Sequence, residues 1–122
     1  METYKKYDLI FFNEVVDRIV IKTVGGKNNP SIMFSPLSEY VYILGHYKAI
    51  DDVMTDINAA LDGEDFIDGI EIGTETITLT PTITTIENAD NTQSLPTSDL
   101  KAILLEYKDF LNTSPLDGTI MP

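Results

Sequence analysis

The chain predicts an α+β fold, an antiparallel sheet with two or three helices packed on one face. Three observations carry this. A run rich in threonine and isoleucine, residues 70–88, alternates apolar and polar positions as a sheet with one wet face does. Apolar stripes at helical spacing lie on either side of it, at Ile50–Leu61 and between Leu100 and Leu111. A β-branched segment, residues 17–24, precedes both. With 122 residues, 43 % of them hydrophobic, the chain is expected to be a single domain, residues 1–122, able to bury one core.

In order, residues 8–16 fit either a helical stripe through Leu9, Phe12 and Val16 or a short strand, and periodicity does not separate the two. Residues 17–24 read as a strand, with Ile19, Ile21 and Thr23 alternating against Arg18, Val20 and Lys22. Gly25 and Gly26, followed by Lys27, Asn28, Asn29 and Pro30, have the composition of a turn, so Ser31 to Phe34 are expected to pair back as a second strand. Residues 37–47 are apolar and aromatic throughout and leave helix and strand open. Ile50, Val53, Met54, Ile57 and Leu61 then define a helix, with Asp51 and Asp52 at its positive end and Gly63 placed as a C-terminal cap.

In the threonine-rich run, Ile77, Leu79 and Ile83 share one parity and Thr76, Thr78, Thr82 and Thr84 the other. Gly73 and Pro81 divide the run into two or three strands, with Pro81 at an edge or a turn. Residues 88–96 read as a polar loop. Thr97 is placed to cap a closing helix whose stripe is Leu100, Ile103, Leu104, Tyr107 and Leu111, with Phe110 beside it. Residues 113–122 lack period and are expected to form a frayed tail.

Charge is the most informative property of the chain. Between Lys48 and Lys101 there is no lysine or arginine, and these 52 residues contain twelve carboxylates. The other 70 residues carry eight acidic and eight basic side chains, so the whole net charge of −12 lies in the middle. Segregated charge has a directional field that attracts a cationic partner and raises its association rate. The same field repels nucleic-acid phosphates and anionic membrane surfaces, so neither is expected as a partner. No stretch approaches the roughly 18 apolar residues needed to span a bilayer. Asp8, Glu14 and Asp17 interrupt any signal-peptide pattern at the start, and the chain is expected to be cytoplasmic.

Catalytic and metal chemistry finds few candidates. The absence of cysteine removes disulfides, thiolate ligands and thiol nucleophiles, and one histidine, His46, cannot build a zinc site. His46 sits among Tyr42, Leu44 and Tyr47 and is expected to be a packed or hydrogen-bonded side chain. There is no Gly-x-Ser-x-Gly elbow, and Gly25-Gly26-Lys27 lacks the spacing of a phosphate loop. In the acidic segment from Asp62 to Glu71 an EF-hand register puts Phe66 at position 5, Ile67 at position 6 and Gly73 at position 12, and the template fails. No cofactor and no catalytic residue is expected. Tyr40, Tyr42 and Tyr47 fit core or boundary packing better than an interface.

Residues 95–111, Leu-Pro-Thr-Ser-Asp-Leu-Lys-Ala-Ile-Leu-Leu-Glu-Tyr-Lys-Asp-Phe-Leu, resemble the closing helix of small immunity proteins of bacterial contact-dependent growth inhibition and polymorphic-toxin systems. In those a Pro-Thr turn precedes an aliphatic stripe with an aromatic-x-x-Phe-Leu ending, and Tyr107 stands where such endings often have Trp. The resemblance implies a protein that is not an enzyme and that binds a cognate basic toxin domain, usually a nuclease. The acids expected to meet that partner are Asp52, Asp56, Asp62, Glu64, Asp65, Asp68, Glu71 and Glu75. An acidic nucleic-acid mimic or adaptor that binds another basic protein is the alternative.

Overall fold

The structure is a computed structural model that describes residues 2–64 and 75–113 in full and residues 67–72 by their backbone. It is α+β, with a two-stranded hairpin, a four-stranded antiparallel sheet and three α-helices. The tail expected to fray lies outside the described residues, apart from Thr113.

Strands β1 (Leu9–Val16) and β2 (Ile19–Gly26) form the hairpin, in register from Leu9 opposite Gly26 to Val16 opposite Ile19. Four successive apolar residues, Leu9 to Phe12, are all buried, which a strand covered on both faces achieves and an amphipathic helix does not. The turn is Asp17-Arg18, with φ of 50° and 68°, the two positive angles that match the twist of paired strands. This corrects the expected hairpin. The two glycines belong to β2, and Ile32–Phe34 form a 3-10 turn rather than a strand. Gly26 is there for close approach: the Phe34 ring occupies the space that a Cβ would need.

Helix α1 (Pro36–His46) resolves the undecided segment. Ser35 and Ser38 form a reciprocal capping box, and proline occupies the first turn, where its missing N–H has no consequence. Helix α2 (Ile50–Leu61) has the bounds that its stripe predicts. At its end Gly63 adopts φ of 87°, its N–H bonds the Ala60 carbonyl, and the Glu64 N–H bonds Ala59, a complete Schellman motif. Helix α3 (Thr97–Leu111) buries Leu100, Ile103, Leu104, Tyr107 and Phe110.

The second sheet is a meander, β3 (Ile67–Ile72), β4 (Glu75–Leu79), β5 (Ile83–Glu87) and β6 (Thr92–Pro96), in that spatial order. The expected polar loop at 88–96 is thus mostly a strand. Only residues 88–91 turn, where the Asn88 carboxamide oxygen accepts the Asp90 and Asn91 N–H groups. Ile77, Leu79, Thr84, Ile86 and Leu95 face inward. Parity therefore reverses across the turn at 80–82: Ile83 is exposed while Thr84 is fully buried. Thr84 survives there because its hydroxyl shares a 2.8 Å hydrogen bond with that of Thr97. Thr97 in turn bonds the Thr80 carbonyl, so it ties helix to sheet and does not cap α3.

One cluster of buried side chains joins the hairpin base (Leu9, Phe11, Val24), all three helices and the meander. The chain's start is bound to α3. The Glu106 carboxylate accepts the N–H groups of Thr3 and Tyr4 at 2.9 and 3.0 Å, and Tyr4 stacks on Phe11. Asp99 accepts the Tyr7 hydroxyl at 2.6 Å and Lys6 at 3.0 Å. The Tyr7 hydroxyl, and secondarily Lys6, hold the Asp99 carboxyl below its ordinary value. Burial, and secondarily this bond to Asp99, pushes Tyr7 up to about 12.

A carboxyl depressed on folding adds stability above its unfolded value of about 3.9 and loses it as the pH falls further. Asp99→Asn should therefore lower the thermal midpoint at pH 7, and its difference from the parent should shrink as the pH falls from 4 toward 2. A midpoint scan against pH checks this.

Candidate functional site

Helix α2 packs inward through Ile50, Val53, Ile57 and Ala60. Its stripe leaves the opposite side to acids, and Asp52 and Asp56, four residues apart, share one face. Asp52 is exposed and Asp56 half-buried. The Schellman turn then carries Asp62 and Glu64 into solvent immediately beyond the helix. The four carboxylates follow one another along α2 and its terminal turn. Among the described residues the ion pairs are Lys5–Glu2, Lys6–Asp99 and Lys108–Asp51, so none of the four has a cation beside it.

The remaining expected acids fall differently. Asp68 and Glu71 lie on β3, the edge strand of the meander, with Glu71 opposite Thr76. Asp65 lies outside the described residues. Glu75 must be withdrawn from the surface, since it is 1 % exposed. It shares the inward parity of Ile77 and Leu79 on β4, a signal present in the sequence and overlooked. Asp51, at the start of α2, is neutralised by Lys108 at 2.7 Å, a bond that also fastens α2 to α3.

Asp56 acts on its surroundings as well as on solvent. The Tyr40 ring from α1 is fully buried, and its hydroxyl has no hydrogen-bond partner among the described residues. Burial, and then the nearby Asp56 charge, raise the Tyr40 hydroxyl's pKa far above its usual value, so the ring is locked neutral. Of the other two tyrosines, Tyr42 is half-buried at the boundary and packs against the core, whereas Tyr47 is 65 % exposed. His46 is exposed rather than enclosed; it stacks on Tyr42 at 5.8 Å and meets Tyr47 edge-on at 4.9 Å.

The described residues also form two open depressions. One, of about 410 Å³, is lined by Gly45, Lys48, Ile50, Asp51, Lys108 and Leu111 where the three helices meet. The other, of about 280 Å³, lies between the hairpin and residues 30–32, with Phe12, Glu14, Ile21 and Tyr42 in its walls. Among the described residues no three His, Asp or Glu side chains are grouped to hold a metal ion, and no helix is long and apolar enough to cross a membrane. Comparison with protein-family models, curated proteins and solved structures gives no match for this chain.

Removing the Tyr40 hydroxyl deletes a buried polar group that has no partner, at no cost in apolar contact. Tyr40→Phe should leave unfolding stability unchanged or raise it by up to about 1 kcal/mol, measured by chemical denaturation.

Proposed function

We propose that the chain is an immunity protein that binds a basic toxin domain through the acidic surface of α2 and the turn after it. The observation that carries this reading is the row Asp52, Asp56, Asp62 and Glu64, displayed on consecutive elements with no ion pair to any of them among the described residues. The resemblance of residues 95–111 to the closing helix of small immunity proteins supports the same reading.

Inhibition on this account is by occupancy. A carboxylate-lined surface takes the place of the anionic substrate in a nuclease groove, and the protein performs no reaction. Carboxylates at the rim of the contact accelerate encounter and make it salt-sensitive, while any carboxylate fully desolvated in the complex slows dissociation. A nucleic-acid mimic or adaptor on another basic protein uses the same surface. Gene order separates the two, since an antidote gene is expected to lie beside that of its toxin.

The test is capture of the partner from a lysate of the native organism, followed by association kinetics with the protein captured. A basic protein is expected. Asp52→Lys combined with Asp62→Lys should slow association several-fold at low salt, and the difference should fade as salt is added. Unchanged association rates, or an acidic partner, would remove the acidic surface from the interaction.

A further inference from the structure

One face of the hairpin forms a wall of the 280 Å³ depression. Phe12 stands opposite Thr23 and Glu14 opposite Ile21, so these four side chains share that face. Ile32 and the Tyr42 ring of α1 form the wall across from them. Phe12 is 2 % exposed and Thr23 5 %, which sets both deep, whereas Glu14 is exposed and stands at the mouth.

Thr23 is the informative residue. Its side chain is enclosed, yet its hydroxyl bonds no described residue. Thr84, equally enclosed, is bonded to Thr97. Buried hydroxyls are normally paired, and Thr23 lines the depression, so the partner it lacks belongs there.

Charge selects that partner. Glu14 is the charged residue of the wall, and among the described residues no ion pair engages it. The hairpin's Lys22 lies on the opposite face, bonded to Asn13 and Thr113 and 4.2 Å from the centre of the Phe110 ring. A chain of net charge −12 repels anions. A cation that donates hydrogen bonds meets complementary groups instead. The Glu14 carboxylate and the Thr23 hydroxyl stand on diagonal neighbours, whose Cβ atoms lie about 7–8 Å apart. The Tyr42 ring attracts a cation within about 6 Å of its centre. Phe12, Ile21 and Ile32 accept an apolar body. A ring fills that space, and a linear stem does not.

We propose that this depression, between Phe12, Glu14, Ile21 and Thr23 of the hairpin and Ile32 and Tyr42 across from them, binds a free organic ammonium ion with a compact apolar ring. The site uses none of the α2 carboxylates, so it stands or falls independently of the proposed partner.

Phenethylamine, titrated into the isotope-labelled intact chain and followed by amide chemical shifts, is the test. Saturable shifts around Glu14, Thr23 and Tyr42, with a dissociation constant in the millimolar range or tighter, are expected. Phenethyl alcohol, which lacks the charge, and phenylacetate, which reverses it, should bind several-fold more weakly or not at all. Glu14→Gln should weaken binding of the amine several-fold. Thr23→Val keeps the shape without the hydroxyl and should weaken it likewise, with a thermal midpoint unchanged or raised. Asp52→Lys with Asp62→Lys should leave it unaltered. Shifts confined to residues 52–64, equal binding of the alcohol, or undiminished binding in both folded hairpin variants would each overturn the proposal. Nα-acetyl-lysine amide carries the same charge on the linear stem of a protein side chain. It should bind more weakly than phenethylamine, and tighter binding would overturn the assignment to a free amine.

Discussion

Everything outward on this molecule follows from how the meander's one apolar face is closed. Ile77, Leu79, Ile86 and Leu95 leave the sheet on one side, and α1 and α3 meet them with Tyr40, Leu44, Leu100, Ile103 and Leu104, all buried. Burial on this scale stabilises by roughly 1.5–3 kcal/mol for each large side chain, offset by the entropy of ordering them. Once α1 and α3 cover the sheet, α2 docks by a single stripe and by the Lys108–Asp51 bond. Its remaining side faces water. Acids that would be intolerable in the core thus stand on the side of α2 turned away from it, and the terminal glycine turn extends the row by two more. Fold and charge display are one consequence of the same packing.

Two surfaces of opposite character result. The α2 surface is charged and polar, and among the described residues no ion pair engages Asp52, Asp56, Asp62 or Glu64. The outer half of the hairpin is mainly apolar, with Glu14, Asp17 and Arg18 as its charged residues. The two are separate in sequence, since the hairpin is complete by Gly26 and the acidic row begins at Asp52.

Much of this was legible in the residues, and the exceptions have physical reasons. The α2 helix was readable to the residue because its apolar positions recur every three or four and Gly63 stops it. α3 was readable for the same periodicity, although its first threonine turned out to anchor the sheet. α1 was not, because aliphatic and aromatic residues run through the segment without an alternating pattern; its Ser35-Pro36 start was the available signal. The hairpin was misplaced by a composition rule. Gly25 and Gly26 look like a turn but make room for Phe34, while the real turn, Asp17-Arg18, lacks the Asn-Gly or Asp-Gly signature. Parity failed past Pro81 because the turn shifts the strand phase by one, exposing Ile83 and burying Thr84. In the acidic segment the charge count was visible, but its distribution was not: Asp51 and Asp99 are neutralised by lysines distant in sequence, and Glu75 turns inward.

The central claim is that the carboxylates of α2 and its terminal turn form the surface that receives a cationic partner. Amide chemical-shift mapping of the isotope-labelled protein during titration with a short oligolysine peptide at low salt tests it most directly. Shifts concentrated over residues 52–64, and erased by high salt, are the expected result. Shifts spread evenly over the molecule, or centred on the hairpin or on the threonine face of the sheet, would contradict it.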